Sequence, residues 1–319
     1  MLWIISTMIF LLLRIAPGDP VDAILGSRAN ESARLILRER LGLNQPIINQ
    51  YFEYMKNLFN FDLGESLNTQ INVKDIIFNS LPATFELIFF SLIIAIFIGI
   101  LFSSLVIISK SSKLKIFSKF YGIGTYALPP FWAAMIIQVI FAINLGWFPI
   151  GGRFPPYLEA PQGTGFYVID SIITGNWISL LNSIKHLFLP SITLGILLSG
   201  IFSRSIITNL GKTLESDYVE AAKSRGLDFK RILIKYALPN ALLPLITITG
   251  LTIASLIGGA LLIEVTFSWP GIALSLQEAI NQRDYPVVQG ITIVIAAIVV
   301  TISIFVDLII ALIDPRIKF

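Results

Sequence analysis

Five stretches of this chain long enough, or nearly so, to cross a membrane contain no Asp, Glu, Lys or Arg: residues 87–109, 120–152, 186–203, 236–263 and 285–306, the last continuing past Asp307 to residue 313. An α-helix rises 1.5 Å per residue, so roughly 20 apolar residues cross the ~30 Å hydrocarbon core of a bilayer. The stretch 87–109 alone carries 17 Leu, Ile, Phe or Val residues. Each is worth about −0.3 to −0.6 kcal/mol on an insertion scale, which holds such a helix in lipid. The length of 319 residues would permit two soluble domains, but 55% hydrophobic and 13% charged residues leave too little polar surface to cover them. Lipid offers the backbone no hydrogen-bonding partner, so the expected fold class is an all-α integral membrane protein.

The N-terminus is shorter than a span. Residues 1–13 are uncharged, which gives about 20 Å of helix. No basic segment precedes them and no small-residue cleavage site follows, so a signal peptide does not fit. The expectation is a first transmembrane helix over residues 1–14 that is truncated at its start, with the true start codon roughly 10–20 residues upstream. An intact mass beginning at Met1 would refute that expectation. An external subdomain, residues 15–81, and a core membrane domain, residues 82–319, complete the division, and the total is about six transmembrane helices.

Basic residues in short loops orient the bundle. Lys110, Lys113, Lys115 and Lys119 stand between two spans with no acid among them, and residues 204–235 hold seven further Lys and Arg. Those loops belong in the cytoplasm. The alternate loops, residues 153–185 and 264–284, carry only Arg153, Lys185 and Arg283. Six spans then leave both termini cytoplasmic, in agreement with Arg316 and Lys318.

The loops themselves have structure. Residues 31–41 read as a helix capped by Asn30 and stopped by Gly42, and residues 46–59 place Ile47, Tyr51, Tyr54, Met55 and Leu58 on one face. The outer loop 146–185 is rich in Gly, Pro and aromatics, as expected of turns anchored at a membrane surface. The cytoplasmic loop 204–239 also reads as helical. Asp217 with Glu220 forms a capping box, Gly226 ends that helix, and Asp228 starts another that runs to Pro239. Ala221 and Ala222 are small enough for a partner surface to approach the backbone.

Several chemistries are excluded. The absence of Cys removes disulfides and thiolate metal sites. A net charge of +3 gives no case for nucleic acid. Gly211-Lys212-Thr213 lacks the glycine a phosphate loop needs, since Ile206 stands in its place, and Gly122, Gly124 and Ala127 open a membrane helix with no strand before it. His186 is the single histidine, so neither a metal site nor a catalytic triad can form around it. No cofactor is implied. Glu86, Arg204 and Asp307 fall near the expected helix ends, where charge is tolerated and a structural role is expected. An ion-coupled secondary transporter keeps ionisable groups near the midplane, and none is found there.

Glu220-Ala221-Ala222, Gly226 and Leu238-Pro239 together resemble the "EAA" loop of bacterial ABC importer permeases. Tyr236 replaces the usual Ile of that pattern, and Pro239 replaces a basic residue. The resemblance to the dipeptide, oligopeptide and nickel branch covers almost the whole chain. It is carried by Pro17-Gly18-Asp19-Pro20, Leu41-Gly42-Leu43-Asn44-Gln45-Pro46, Asp62-Leu63-Gly64-Glu65-Ser66, Leu81-Pro82-Ala83-Thr84, Gly146-Trp147-Phe148-Pro149, Gly151-Gly152-Arg153 and Asp314-Pro315-Arg316. It implies a permease in the bacterial inner membrane that pairs with a second homologous permease subunit. Two ATP-binding cassette subunits would dock from the cytoplasm, and an extracytoplasmic substrate-binding protein would deliver substrate. It also implies coupling to the ATPases through Asp217, Glu220, Ala221, Ala222 and Gly226, with peptides carried, or alternatively nickel or another small solute. Hydrolysis is then the partner's work and the chain is not itself an enzyme.

Overall fold

The computed structural model describes residues 2–15, 21, 30–40, 43–109 and 111–313. Among them every regular element is a helix, apart from one isolated bridge between Glu65 and Asn72. The expected motifs at Pro17-Gly18-Asp19-Pro20, Leu41-Gly42 and Asp314-Pro315-Arg316, the stop at Gly42, and Arg316 and Lys318 lie outside the described residues.

The chain forms two compact units, Met1–Ala83 with Pro270–Val300 and Thr84–Trp269 with Thr301–Phe319. The first contains α1 (Leu2–Ile15), α2 (Glu31–Arg40), α3 (Ile47–Phe59), the start of α4 (Val73–Ser109), α13 (Ile272–Asn281) and most of α14 (Tyr285–Ile313). Pro46 precedes α3 in an extended conformation, as a residue that fixes φ and lacks an N–H suits a helix entrance. The apolar face read for α3 packs on α1, where Phe10 is buried with its ring 5.4 Å from those of both Tyr51 and Tyr54. Burial pushes the Tyr54 phenol up to about 12, so it stays neutral at ordinary pH. Val73 and Ile77 pack with Ile272, Val287 and Ile291 in a second cluster. Asp284 ties the chain entering α4 to the chain entering α14. Its carboxylate is 2% exposed and accepts from Ser66 Oγ at 2.6 Å and the Leu67 N–H at 3.2 Å.

The second unit holds the rest of α4 together with α5 (Ser112–Ala127), α6 (Pro130–Ile137), α7 (Tyr167–Ile173), α8 (Trp177–Leu214), α9 (Asp217–Ser224), α10 (Phe229–Ile232), α11 (Leu238–Gly259) and α12 (Leu261–Thr266). The expected single span over 120–152 is broken. The chain bends by 100° between α5 and the helix that begins at Pro130 and continues through a π-helical stretch to Asn144. The cause is Pro129-Pro130, two residues without an N–H, which force Leu128 into an extended conformation (φ −72°, ψ 124°). Among the described residues four helices are long and apolar enough to cross a membrane, or five if this bent pair counts as one span, against an expectation of about six that included the short first helix. The expected first span corresponds to α1, whose apolar run Leu2–Leu12 is shorter than a membrane needs.

The expected stretch 87–109 is the later part of a 37-residue helix that starts at Val73 and passes through Pro82. Between α5 and α8 the approach is close. A Cβ added at Gly200 would lie 1.8 Å from Thr125 Oγ1 and 3.3 Å from Gly122 Cα. Small residues at such crossings let helix backbones pack where lipid supplies no hydrophobic drive. Gly200→Leu is therefore expected to cost about 1–3 kcal/mol through overpacking. Thermal unfolding of the purified protein in detergent should show a clear drop in midpoint for that variant, and no drop for Gly211→Leu, where an added Cβ meets nothing within 4 Å.

Candidate functional site

The loop after α8 is built around three buried residues. Helix α8 ends at Leu214, whose carbonyl accepts from Lys223 Nζ at 3.3 Å, so the short helix that follows is fastened to the long one. Ser216 is extended (φ −79°, ψ 151°) and occupies the cap position of α9, without a side-chain cap bond. Asp217 is thus the first residue of α9 rather than its cap, and the expected capping box is not formed. Asp217 and Glu220 both fall in the first turn, where carboxylates meet the positive end of the helix dipole.

Helical spacing then sorts the side chains. Val219 and Ala222, three apart, are buried against Ile232 of α10, with Leu214 and Leu227 closing the cluster. Asp217, Glu220 and Ala221 are exposed. The two alanines have different surroundings: Ala221 is open to a partner, whereas Ala222 is 5% exposed and lets α9 sit close to α10. Gly226 takes φ +72°, a conformation that strains any L side chain, and the Leu227 N–H turns back to the Ala222 carbonyl at 3.3 Å. Asp228 accepts from the Lys230 N–H at 3.1 Å and starts α10, as expected.

The second loop helix does not stop at Pro239. It passes from α10 through the π-helical turn Leu233–Ala237 directly into α11. Pro239 offers no N–H to the preceding turn, and the wider π turn stands immediately before it. The result is a continuous helical path from the packed loop to an apolar span running to Gly259.

A second polar site was not legible in the sequence. Glu86 lies within α4 rather than at its end, because the helix begins 14 residues earlier than the uncharged stretch implies. It is 4% exposed, and Arg153, 6% exposed, donates to it at 2.7 Å. The other Glu86 oxygen accepts from the Val168 N–H at 2.8 Å. Arg153 also donates to the Gly165 carbonyl at 2.7 Å and lies 3.8 Å over the Tyr167 ring. Asp170 extends the network by accepting from the Thr164 and Gly165 N–H groups, and buried Glu264 accepts from Thr84 Oγ1 at 2.6 Å. The aromatics expected to anchor this loop divide accordingly: Trp147 and Trp177 are exposed at 62% and 74%, while Tyr167 covers the arginine. Among the described residues no group of three His, Cys, Asp or Glu is placed to hold a metal ion.

These features define a helical membrane protein with a polar clasp between α4 and the α6–α8 connection, and with a packed, charged handle continuous with one span. Residues 93–319 match the family described as the binding-protein-dependent transport system inner membrane component, and residues 1–88 match that family's N-terminal membrane component. Among curated proteins, the chain is 42% identical over 310 residues to the dipeptide transport system permease protein DppB of Alkalihalophilus pseudofirmus, covering 97% of this chain and 93% of that one. It is 35% identical to the di/tripeptide transport system permease protein DppB of Pseudomonas aeruginosa over 98% of this chain and 94% of that one. It is 33% identical to the oligopeptide transport system permease protein AppB of Bacillus subtilis over 99% and 94%. The chain belongs to the binding-protein-dependent transport permeases, the membrane-spanning subunits of ABC importers. It is a multi-pass inner-membrane protein that works with a substrate-binding protein and with an ATPase partner, which carries the hydrolytic activity.

The Glu86–Arg153 pair yields a prediction. Removing one member of a buried, hydrogen-bonded ion pair leaves the other charge uncompensated, at a cost of about 3–5 kcal/mol. Arg153→Met and Glu86→Gln should each lower the unfolding midpoint in detergent substantially. The double variant Glu86→Gln with Arg153→Met should recover much of the loss, and a loss equal to the sum of the two singles would refute the coupling.

Proposed function

We propose that this chain forms half of a translocation pathway for short peptides and switches its access through α9. The substrate class is supported by the relatives, whose names give dipeptides, di/tripeptides or oligopeptides as what they transport. The other half of the pathway is a second, similar but distinct permease subunit, and two ATP-binding subunits dock beneath the pair. The charge imbalance of the loops supports a cytoplasmic position for residues 204–239 and for both termini. Residues 15–81 are then an external subdomain that offers a docking surface for the binding protein.

The observation that carries the coupling reading is the two-sided construction of α9. One face is locked through Val219 and Ala222 to the helix that becomes α11, and the other presents Asp217, Glu220 and Ala221 to solvent. A force applied to the exposed face has no soft joint in which to dissipate before it reaches the span. ATP drives the switch only by favouring one conformer over the other, so the contacts between α9 and the ATPase must differ between the two states. Moving a two-state equilibrium from 1:99 to 99:1 takes about 5.5 kcal/mol of such preference. Gly226 sets the end of the lever, and its positive φ keeps Asp228 and α10 in register with α9.

Charge reversal at Glu220 and replacement of Gly226 by Leu are expected to leave the complex assembled while cutting substrate-stimulated ATP hydrolysis and peptide uptake, measured in proteoliposomes with the ATPase and binding protein present. Undiminished uptake in both variants would remove α9 from the coupling path.

A further inference from the structure

On the side of their close crossing at Gly122, Thr125 and Gly200 that leads to Ser112 and Leu214, α5 and α8 enclose a cavity of about 380 Å3. A larger one of about 880 Å3, walled also by α4, α9 and α10, adjoins it, and the two share Ser118, Lys119 and Ile207. Helical spacing explains the lining. Lys115, Ser118, Lys119 and Gly122 follow one another at intervals of three, one and three residues along one face of α5, and Arg204, Ile207, Thr208 and Gly211 do the same on α8.

The walls carry four cations, Lys115, Lys119, Arg204 and Lys223, against one carboxylate, Glu215. Among the described residues no ion pair within 4.0 Å engages Lys115, Lys119 or Arg204, and Lys223 is spent on a backbone carbonyl. Apart from Ser118 and Thr208 the rest of the lining carries no polar side chain, with Val106, Ile107 and Ile207 inside and Ile123 at the edge, 63% exposed. A cavity that joins uncompensated cations to an apolar wall, next to a helix face that lies in the bilayer, suits one occupant: a molecule with an anionic phosphate at one end and hydrocarbon at the other.

We propose that the groove between α5 and α8 is a binding site for an anionic phospholipid of the cytoplasmic leaflet, its phosphate held by Lys115, Lys119 and Arg204 and its acyl chains lying along Ile123. A protein surface would need acidic side chains long enough to enter a recess between two helices, whereas a lipid reaches it by lateral diffusion. The lysines lie about 6 Å apart along the helix axis, the rise of four residues, so both can reach one phosphodiester. Basic pockets between membrane helices on the cytoplasmic side hold such headgroups by the same electrostatics. Since α8 leads directly into α9, the lipid would brace the base of the coupling handle. The leaflet assignment rests on the topology under Proposed function; the site itself rests on the groove.

The test uses the assembled complex in nanodiscs of phosphatidylcholine with or without phosphatidylglycerol, followed by detergent extraction and native mass spectrometry of retained lipid. The wild type should retain phosphatidylglycerol in preference to phosphatidylcholine. Lys115→Gln, Lys119→Gln and Arg204→Gln should each weaken that retention about fivefold, the effect of one basic residue near a charged membrane surface. Lys113→Gln, at the same end of α5 but outside the groove, should not change it. Equal retention by the triple variant would overturn the site, as would recovery of inorganic phosphate in place of lipid. Loss of the ATPase subunit with lipid unchanged would also overturn it, by making the groove a protein-docking face. Because the chain has no cysteine, Lys113→Cys gives a single labelling site. Labelling from outside would overturn the topology and the leaflet, while failed retention with labelling from the cytoplasm would overturn the lipid site alone.

Discussion

A peptide group in hydrocarbon finds no water to bond, and this requirement governs the breaks along the spans of the second unit. Where the chain must break, it does so at residues that have fewer groups to satisfy or that can satisfy them differently. Pro129-Pro130 turns the chain by 100° while giving up two donors it never had. The turn at Leu233–Ala237 bonds in π fashion just before Pro239. Ser, Thr and Gln side chains assist along the spans: Ser103 donates to its own helix and faces Ser203, and Gln138 donates to the Ile150 and Thr266 carbonyls. Charges obey the same rule. Glu86 and Arg153 are tolerable inside the fold because each neutralises the other and each also bonds to the backbone.

The two compact units and the continuous helices α4 and α14 that pass from one to the other give the permease a division of labour by chemistry. The first unit is held by an aromatic cluster around Phe10, an aliphatic cluster around Ile291, and the Asp284 clasp. The second is held by small-residue helix crossings and by polar networks at the loops. Its loop after α8 combines a packed interior with a charged exterior, which supports the proposal that this loop meets the ATPase.

Much of this was legible in the sequence because the relevant signals are local. Absence of charge over 87–109 marks a helix in lipid, Pro46 marks the entrance to α3, and Gly226 marks the end of α9. The misses have a common origin in what local signals leave out. Hydropathy counts charges but not missing N–H groups, so the uncharged run 120–152 concealed the break at Pro129. Ser216 takes the cap position because its own backbone is extended, a preference that the pair Asp217 and Glu220 does not reveal. The partner of Glu86 is 67 residues away, and no spacing rule pairs a lone Glu in one apolar run with a lone Arg beyond another. The signal that could have found it is the oddity of each charge in its neighbourhood.

The π-helical turn at Leu233–Ala237 has a further consequence. A π turn is equivalent to one residue inserted into an α-helix, and one residue corresponds to about 100° of azimuth. The wider turn takes up that 100°, because five residues of π turn cover about as much azimuth and rise as four of α-helix. The surplus residue is thus absorbed just ahead of Pro239, and α11 keeps the phase of the helix below it although the chain between them is one residue longer than an α-helix needs.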